Sequence, residues 1–383
     1  MFSIRTIVGR SIPLTFKLKL QLFLRFKTVM INGVSRVKIY EGKNFATSIN
    51  EAFDLFLTDG QKQDKELLQN FKKDIVKCYI LYAATPKDYF LFGFNNKNGT
   101  NKQRKLFITD TIKDSVLNRV EGWGKYLELS DKYAVYMRLR KYFRRNVMKL
   151  DNCTSFDSFE KFIISFGGGI FIKPLLGSYG KDAYIFDSKL DSDIKELFEK
   201  LTIDKNSSWI LEEQIIQSQK MAQWNSSSVN TVRVLSFLNK GKFHVITPFF
   251  RTGRKGSIVD NAGSGGIISN VDSNTGLIYT DGFDENGKSY KCHPDSGLNF
   301  KGWQIPLWKE LIETVKSVHM AMSDHIYVGW DFALTDNGWV LIEGNWGQFL
   351  NQYVDKVGRK EEFLKYMKGK SFNKSVKNEY IDE

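Results

Sequence analysis

Residues 329–345 read GWDFALTDNGWVLIEGN. Two apolar runs, Val328–Leu334 and Trp339–Glu343, flank Asp336-Asn337-Gly338, which is turn chemistry, so the stretch is read as a β-hairpin. The hairpin is expected to bring Asp331 near Glu343 and Asn345. Glu343 and Asn345 lie two apart in one strand, so both side chains face one way. Two carboxylates and one amide oxygen on one surface suit Mg²⁺, a hard ion that takes few protein oxygens and completes its shell with phosphate oxygens and water. A solvated hairpin edge would show the same letters. Here Val328, Phe332, Leu341 and Ile342 are apolar, and carboxylates at the end of buried strands need a partner.

Upstream, Phe171-Ile172-Lys173-Pro174 reads as a strand that runs into the small-residue loop Gly177-Ser178-Tyr179-Gly180. A lysine on a strand supplies a point charge, and such a loop supplies unobstructed backbone N–H groups; together they can hold phosphates. The spacing is not that of a P-loop, and the loop leads into a strand (Ala183–Phe186) rather than a helix. Taken alone, Gly-Ser-Tyr-Gly is most often a plain hairpin. Trp209–Ile216 is a further strand, carrying Glu212 and Glu213 about forty residues after Lys173. Such a strand can offer backbone groups to adenine and an acid to ribose; by itself it is only an exposed acidic pair. Val232–Leu238 and His244–Arg251 are read as antiparallel strands turning at Lys240-Gly241. Asp260–Gly266 is a Gly-rich loop, Asp193–Leu201 and Trp308–Ser323 are helices, and Ser130–Lys149 is a helix capped by Ser130 or Asp131.

The order of these parts resembles the catalytic core of the ATP-grasp superfamily over about residues 126–355: Lys strand, Gly loop, Glu-Glu strand, Arg233 in Asn230-Thr231-Val232-Arg233, Arg251 at a strand end, Gly-rich loop, then Asp331 and Glu343-Gly344-Asn345. Ser228–Arg233 (SVNTVR), Asp260–Ile267 (DNAGSGGI), His293–Phe300 (HPDSGLNF), Ile305–Trp308 (IPLW) and Gly329–Asn345 are similar to the sugar-transfer-associated ATP-grasp family, found with capsule and other surface-polysaccharide genes. Tyr89–Phe94 (YFLFGF) resembles that family's N-terminal region. The resemblance implies an α+β fold: a two-lobed ATP-grasp core with antiparallel sheets, preceded by a mixed, largely helical N-terminal region. It divides the chain into a basic N-terminal region (1–125), a small lobe (126–211), a large lobe with the metal site (212–360) and a polar tail (361–383).

The resemblance also implies roles. Lys132 is similar to the first nucleotide-binding lysine, at the α-phosphate, unless it is a surface lysine on its helix. Lys173 resembles the second, at the α/β-phosphates, and Gly177–Gly180 the flexible loop over the triphosphate. Glu212 and Glu213 match the adenosine region. Asp331, Glu343 and Asn345 match the metal ligands, with Glu343 bridging two Mg²⁺. Arg251 resembles an arginine facing the γ-phosphate; Arg233 either assists it or pairs with a metal-site acid. The implied cofactors are ATP and Mg²⁺, and the implied chemistry is carboxylate–amine ligation through an acyl phosphate, on a carboxylated sugar or an amino acid. A hydroxyl kinase and a nucleotide-binding module without turnover remain as alternatives. No Ser-His-Asp or Cys-His set is expected, because phosphoryl transfer relies on positioning and charge neutralisation.

The chain has 383 residues and a formal charge of +13, unevenly placed. Residues 1–150 hold 29 Lys/Arg against 13 Asp/Glu, and the first forty hold eight Lys/Arg and no acid. A basic half favours anionic partners such as an acidic glycan or a membrane surface, or is simply a soluble cationic face. No arginine-rich tract or aromatic nucleic-acid motif accompanies it, which disfavours nucleic acid. Ile12–Val29 (IPLTFKLKLQLFLRFKTV) alternates or nearly alternates apolar with basic residues. It reads as an interfacial segment, a transit-like segment, or an element packed on the protein's own surface. No apolar run approaches the ~20 residues of a spanning helix. Cys78, Cys153 and Cys292 are far apart without CxxC spacing, which supports neither a disulfide framework nor a zinc site. A cytoplasmic setting is expected, with the basic region able to hold the protein at the inner membrane face. Asp59-Gly60 is expected to break a helical pattern within Phe45–Lys72, and a final helix is allowed after Arg359.

Overall fold

The computed structural model describes residues 14–32, 44–166, 168–176, 182–187, 193–204 and 207–367. The chain divides into two compact units, residues 1–122 with 348–383, and residues 123–347.

The first unit is helical. Its longer helices are α1 (Leu14–Asn32) and α2 (Lys65–Tyr82), with a shorter helix, Phe45–Phe56, between them. Asp59-Gly60 does not break the helical pattern as expected from turn chemistry. Thr58 caps a short helix there, Asp59–Gln63, in a reciprocal capping box with Gln61, so the pair opens a helix instead. Thr85, Pro86 and Asp88 do the same for Pro86–Leu91. The core is aromatic: Phe45, Phe53, Tyr82, Tyr89, Phe90, Phe92, Phe94 and Phe107 are buried together. Tyr89–Phe94 therefore builds this core. Beside it Arg104 forks onto Asp74 at 2.8 and 2.5 Å, and the Tyr89 hydroxyl donates to the same carboxylate at 2.8 Å. The final helix, Lys360–Met367, belongs to this unit, with Lys360 N–H on the Leu106 carbonyl.

Among the described residues, the long strands all lie in the second unit. Helices α3 (Trp123–Ser130) and α4 (Lys132–Phe143) lead into it. The Asp131 side chain caps α4 through the N–H groups of Tyr133 and Ala134. The helix ends six residues earlier than Lys149: Arg144 takes a left-handed backbone (φ 49°), and the β-branched start of Val147–Leu150 becomes strand β1. With β2 (Ile170–Pro174), β3 (Tyr184–Phe186) and β4 (Trp209–Glu213) it forms an antiparallel sheet in the order β1-β4-β2-β3. Amphipathic helices Phe156–Ile164 and Ile194–Thr202 bury Phe159, Ile163, Leu197 and Leu201 against it.

A seven-stranded antiparallel sheet follows: β5 (Thr231–Asn239), β6 (Lys242–Thr252), β7 (Ile267–Asn270), β8 (Gly282–Asp284), β9 (Ser289–Tyr290), β10 (Tyr327–Thr335) and β11 (Gly338–Asn345), in the order β11-β10-β5-β6-β7-β8-β9. Lys240 and Gly241 both have positive φ, 52° and 75°, the backbone of a two-residue hairpin turn. Helix α5 (Trp308–Ala321) buries Leu311, Val315 and Val318 on this sheet. The fold is thus α+β with two antiparallel sheets and a largely helical N-terminal region, as expected.

Candidate active site

Register places the charged residues. Asp331 on β10 pairs with Glu343 on one side and Arg233 on the other. Thr231, two residues before Arg233, pairs with Arg251 on β6. Directly paired residues share a face, and so do residues two apart, so Glu343, Asp331, Arg233, Thr231 and Arg251 stand on one face of four adjacent strands. A bulge between Asp331 and Phe332 leaves Ile342 as the extra residue of β11, and so resets which β11 side chains meet this face.

The buried Asp331 carboxylate receives both nitrogens of an Arg233 fork and Arg251 Nη1 at 2.9 Å. Burial alone would raise its pKa; the two guanidinium groups outweigh that and hold it below the ordinary value. Arg251 also donates to Asp260 Oδ1 at 2.6 Å and to Asn261, while Thr231 donates to the other Asp260 oxygen. Burial would lower the Arg251 pKa, but the Asp260, Asp331 and Glu343 carboxylates hold the guanidinium firmly charged. Glu343 is the open member of the set: its side chain is 32% exposed against 4% for Asp331, with Oε1 3.7 Å from Arg233 and accepting from Asn345 Nδ2 at 3.2 Å.

A second cluster comes from the smaller sheet. Lys173 on β2 pairs with Ile210, and Glu212 lies two residues on along β4, so the two side chains share a face. Lys173 Nζ lies 2.6 Å from Glu212 Oε1. Arg145 takes the other oxygen, with Nε at 2.9 Å and Nη2 at 2.6 Å. Burial would raise the Glu212 pKa; Arg145 and Lys173 overcome it and hold the carboxyl down at about 2. Glu213 points to the opposite face and accepts from the Asn146 backbone and side chain, both at 3.2 Å, so the two glutamates have separate surroundings. Lys132 Nζ donates to the Leu175 carbonyl at 2.9 Å, just beyond β2. Burial and then Lys173 lower its pKa, against Glu343 and Glu212, which puts Lys132 within the field of both clusters.

Arg145 joins them. Its Nη1 donates to the Leu341 carbonyl at 2.6 Å and Nη2 to that of Ile342 at 3.4 Å, at the β11 bulge just before Glu343. Sequence reading did not single out Arg145, Asp260, Asn261 or Thr231. The DNAGSGGI and NTVR motifs contain the last three; no motif flags Arg145. Gly177, Ser178, Tyr179 and Gly180 lie outside the described residues.

The metal-type donors that Asp331, Glu343 and Asn345 offer are all oxygens, and Asp331 and Glu343 are directly paired across β10 and β11. Arg233 and Arg251 already offset the Asp331 charge, while the partly exposed Glu343 carboxylate and the Asn345 amide offer the hard oxygen donors that Mg²⁺ takes, so the set fits Mg²⁺ through its open members. Elsewhere, Glu128, Asp324 and His325 bring donor atoms within 4.8 Å. Lys125 already sits between two of them, 2.6 Å from Asp324 and 2.7 Å from Glu128, and Arg138 also pairs with Asp324, so this cluster is an ion-pair network.

Two antiparallel sheets, one offering Lys173 with Lys132 beside it and the other paired carboxylates with arginines, define the class: an ATP-grasp protein. Residues 125–361 match the sugar-transfer associated ATP-grasp family, and the chain belongs to that family. No curated protein matches the sequence. Similar solved structures include an L-amino acid ligase from Bacillus licheniformis, with 12% identity over 57% of this chain and 43% of that one and a TM-score of 0.35. D-alanyl-alanine synthetase A from Vibrio cholerae shows 15% identity over 63% of this chain and 64% of its own, with a TM-score of 0.39. The ATP-grasp ligase PsnB, complexed with minimal precursor, shows 12% identity over 70% and 71%, with a TM-score of 0.40. The chain thus spans less than two thirds of the first two.

Proposed function

We infer that the protein is an ATP-dependent carboxylate–amine ligase that works through an acyl phosphate, on a carboxylated sugar or an amino acid in surface-polysaccharide synthesis. One observation carries this reading: Arg145 pins the Lys173–Glu212 cluster to the β11 backbone just before Glu343. Lysines suited to phosphates and carboxylates suited to a cation are thereby held in one unit. The family match supports the sugar-related acceptor, and the Bacillus ligase and the Vibrio synthetase are named for joining amino acids.

In this reading Lys132 and Lys173 hold the α- and β-phosphates, and Glu212 and Glu213 belong to the adenosine end. Asp331, Glu343 and Asn345 would hold Mg²⁺. Bound there, the metal neutralises phosphate charge and orients the γ-phosphoryl group. A substrate carboxylate oxygen attacks the γ-phosphorus and the bond to ADP breaks. The amine then attacks the acyl carbon, loses a proton and expels phosphate. Arg251 serves as a fixed positive charge for the transferring group, because Asp260 and Asp331 hold it in place before substrate arrives. Arg233 holds Asp331 ionised and oriented.

The test is ADP release from Mg-ATP with uronic-acid sugars or amino acids as carboxylates and amino acids as amines. Release that requires both substrates, with hydroxylamine trapping a hydroxamate, is the expected result. A stable phosphoester product would instead mean a hydroxyl kinase, and ATP binding without ADP release a module without turnover.

A further inference from the structure

Helix α1 turns five of its described apolar residues outward. Gln21 Nε2 donates to Ser115 Oγ at 2.9 Å and Arg25 Nε to the Ile80 carbonyl at 3.1 Å, and Val29 enters the aromatic core. The side packed on the protein is therefore partly polar. Leu20, Phe23, Leu24, Phe26 and Met30 are instead between 40% and 67% exposed. Leu20, Phe23, Leu24 and Lys27 follow i, i+3, i+4, i+7 spacing, so they form one stripe on the helix. A helix whose apolar residues served only its own fold would show the opposite arrangement.

We propose that this outward face docks the protein on an anionic lipid surface. Helix α1 contains Lys17, Lys19, Arg25 and Lys27 and no acid, and the first forty residues carry eight basic residues and none acidic. Exposed Lys19 and Lys27 lie on the same outward face as these apolar residues. An interfacial helix has this composition: the rings and aliphatic chains enter the headgroup boundary while lysines stay at the phosphates. A second copy is a poor occupant, because pairing the stripes of two copies sets basic helices against each other. No helix among the described residues is long and apolar enough to cross a membrane, so contact at the surface is the mode that fits.

Flotation of the full chain with vesicles of phosphatidylcholine, with and without phosphatidylglycerol, tests this. The expected result is binding to anionic vesicles alone, weakened by salt, and lowered roughly 10-fold or more by Phe23→Ser, Leu24→Ser and Met30→Ser together. These side chains are exposed, so the triple variant keeps the wild-type thermal midpoint, which is the folding control. Three results overturn the proposal: no binding to anionic vesicles; binding indifferent to the triple change, which means charge alone; or a wild-type dimer in sedimentation that the triple change turns into monomer, which means a second copy covers the stripe.

Discussion

Arg145 belongs to none of the quoted motifs, yet its guanidinium joins Glu212 to the carbonyls of Leu341 and Ile342. Lys173 shares the same carboxylate but makes no such bridge. The two residues should therefore fail differently. Arg145→Met leaves a buried carboxylate with one of its two partners and removes the arginine's bonds to two β11 carbonyls, and should cost on the order of 3–5 kcal/mol in urea denaturation. Lys173→Met leaves Glu212 with Arg145, so the urea midpoint should move less while affinity for an ATP analogue falls. If Arg145→Met unfolds at the wild-type midpoint, the bridge is not structural. The ligand-like residues Asp331, Glu343 and Asn345 were legible because period-two spacing and a hairpin turn fix which side chains share a face. Arg145 was not, since an arginine after a helix shows its partners only once two sheets are folded.

At the level of elements, the hairpins were legible from their turn residues, and β10 and β11 form around the expected turn. The bulge at Ile342 was not, because an extra residue in an apolar run leaves no mark in composition. Nor was the end of α4, where the helix-favouring stretch to Lys149 yields to pairing of β1 with β4. Helix α5 gives a pH prediction. His319 is buried, bonded to Ser236 Oγ at 2.7 Å and to the His325 carbonyl at 3.0 Å, and burial pushes its pKa down to about 4. The folded state thus favours neutral imidazole while the unfolded chain protonates near pH 6.5. This contribution is fully present above that pH and is lost as pH falls towards 4, by as much as about 3 kcal/mol. His293 and His325 are shifted the same way, so His319→Gln should reduce the fall in denaturation free energy across that window without removing it. An unchanged slope would assign the effect to the other two.

Along the whole chain, the excess of Lys/Arg and the paired carboxylates fall in different stretches. The excess of Lys/Arg lies in residues 1–150, whereas the paired carboxylates lie in the late sheet. Charge bias and the late D…ExN pattern were both visible in the letters. That Tyr89–Phe94 would join the aromatic core, and which α1 residues face outward, were not, since burial depends on what each face meets. The central claim is that residues from two sheets make one Mg-ATP site. Calorimetric titration with a non-hydrolysable ATP analogue, with and without Mg²⁺, tests it on wild type, Lys173→Met and Glu343→Gln. The account predicts Mg²⁺-dependent binding in the wild type, weakened roughly 10-fold or more by either change. Binding that ignores Mg²⁺, or either variant matching the wild type, would contradict it.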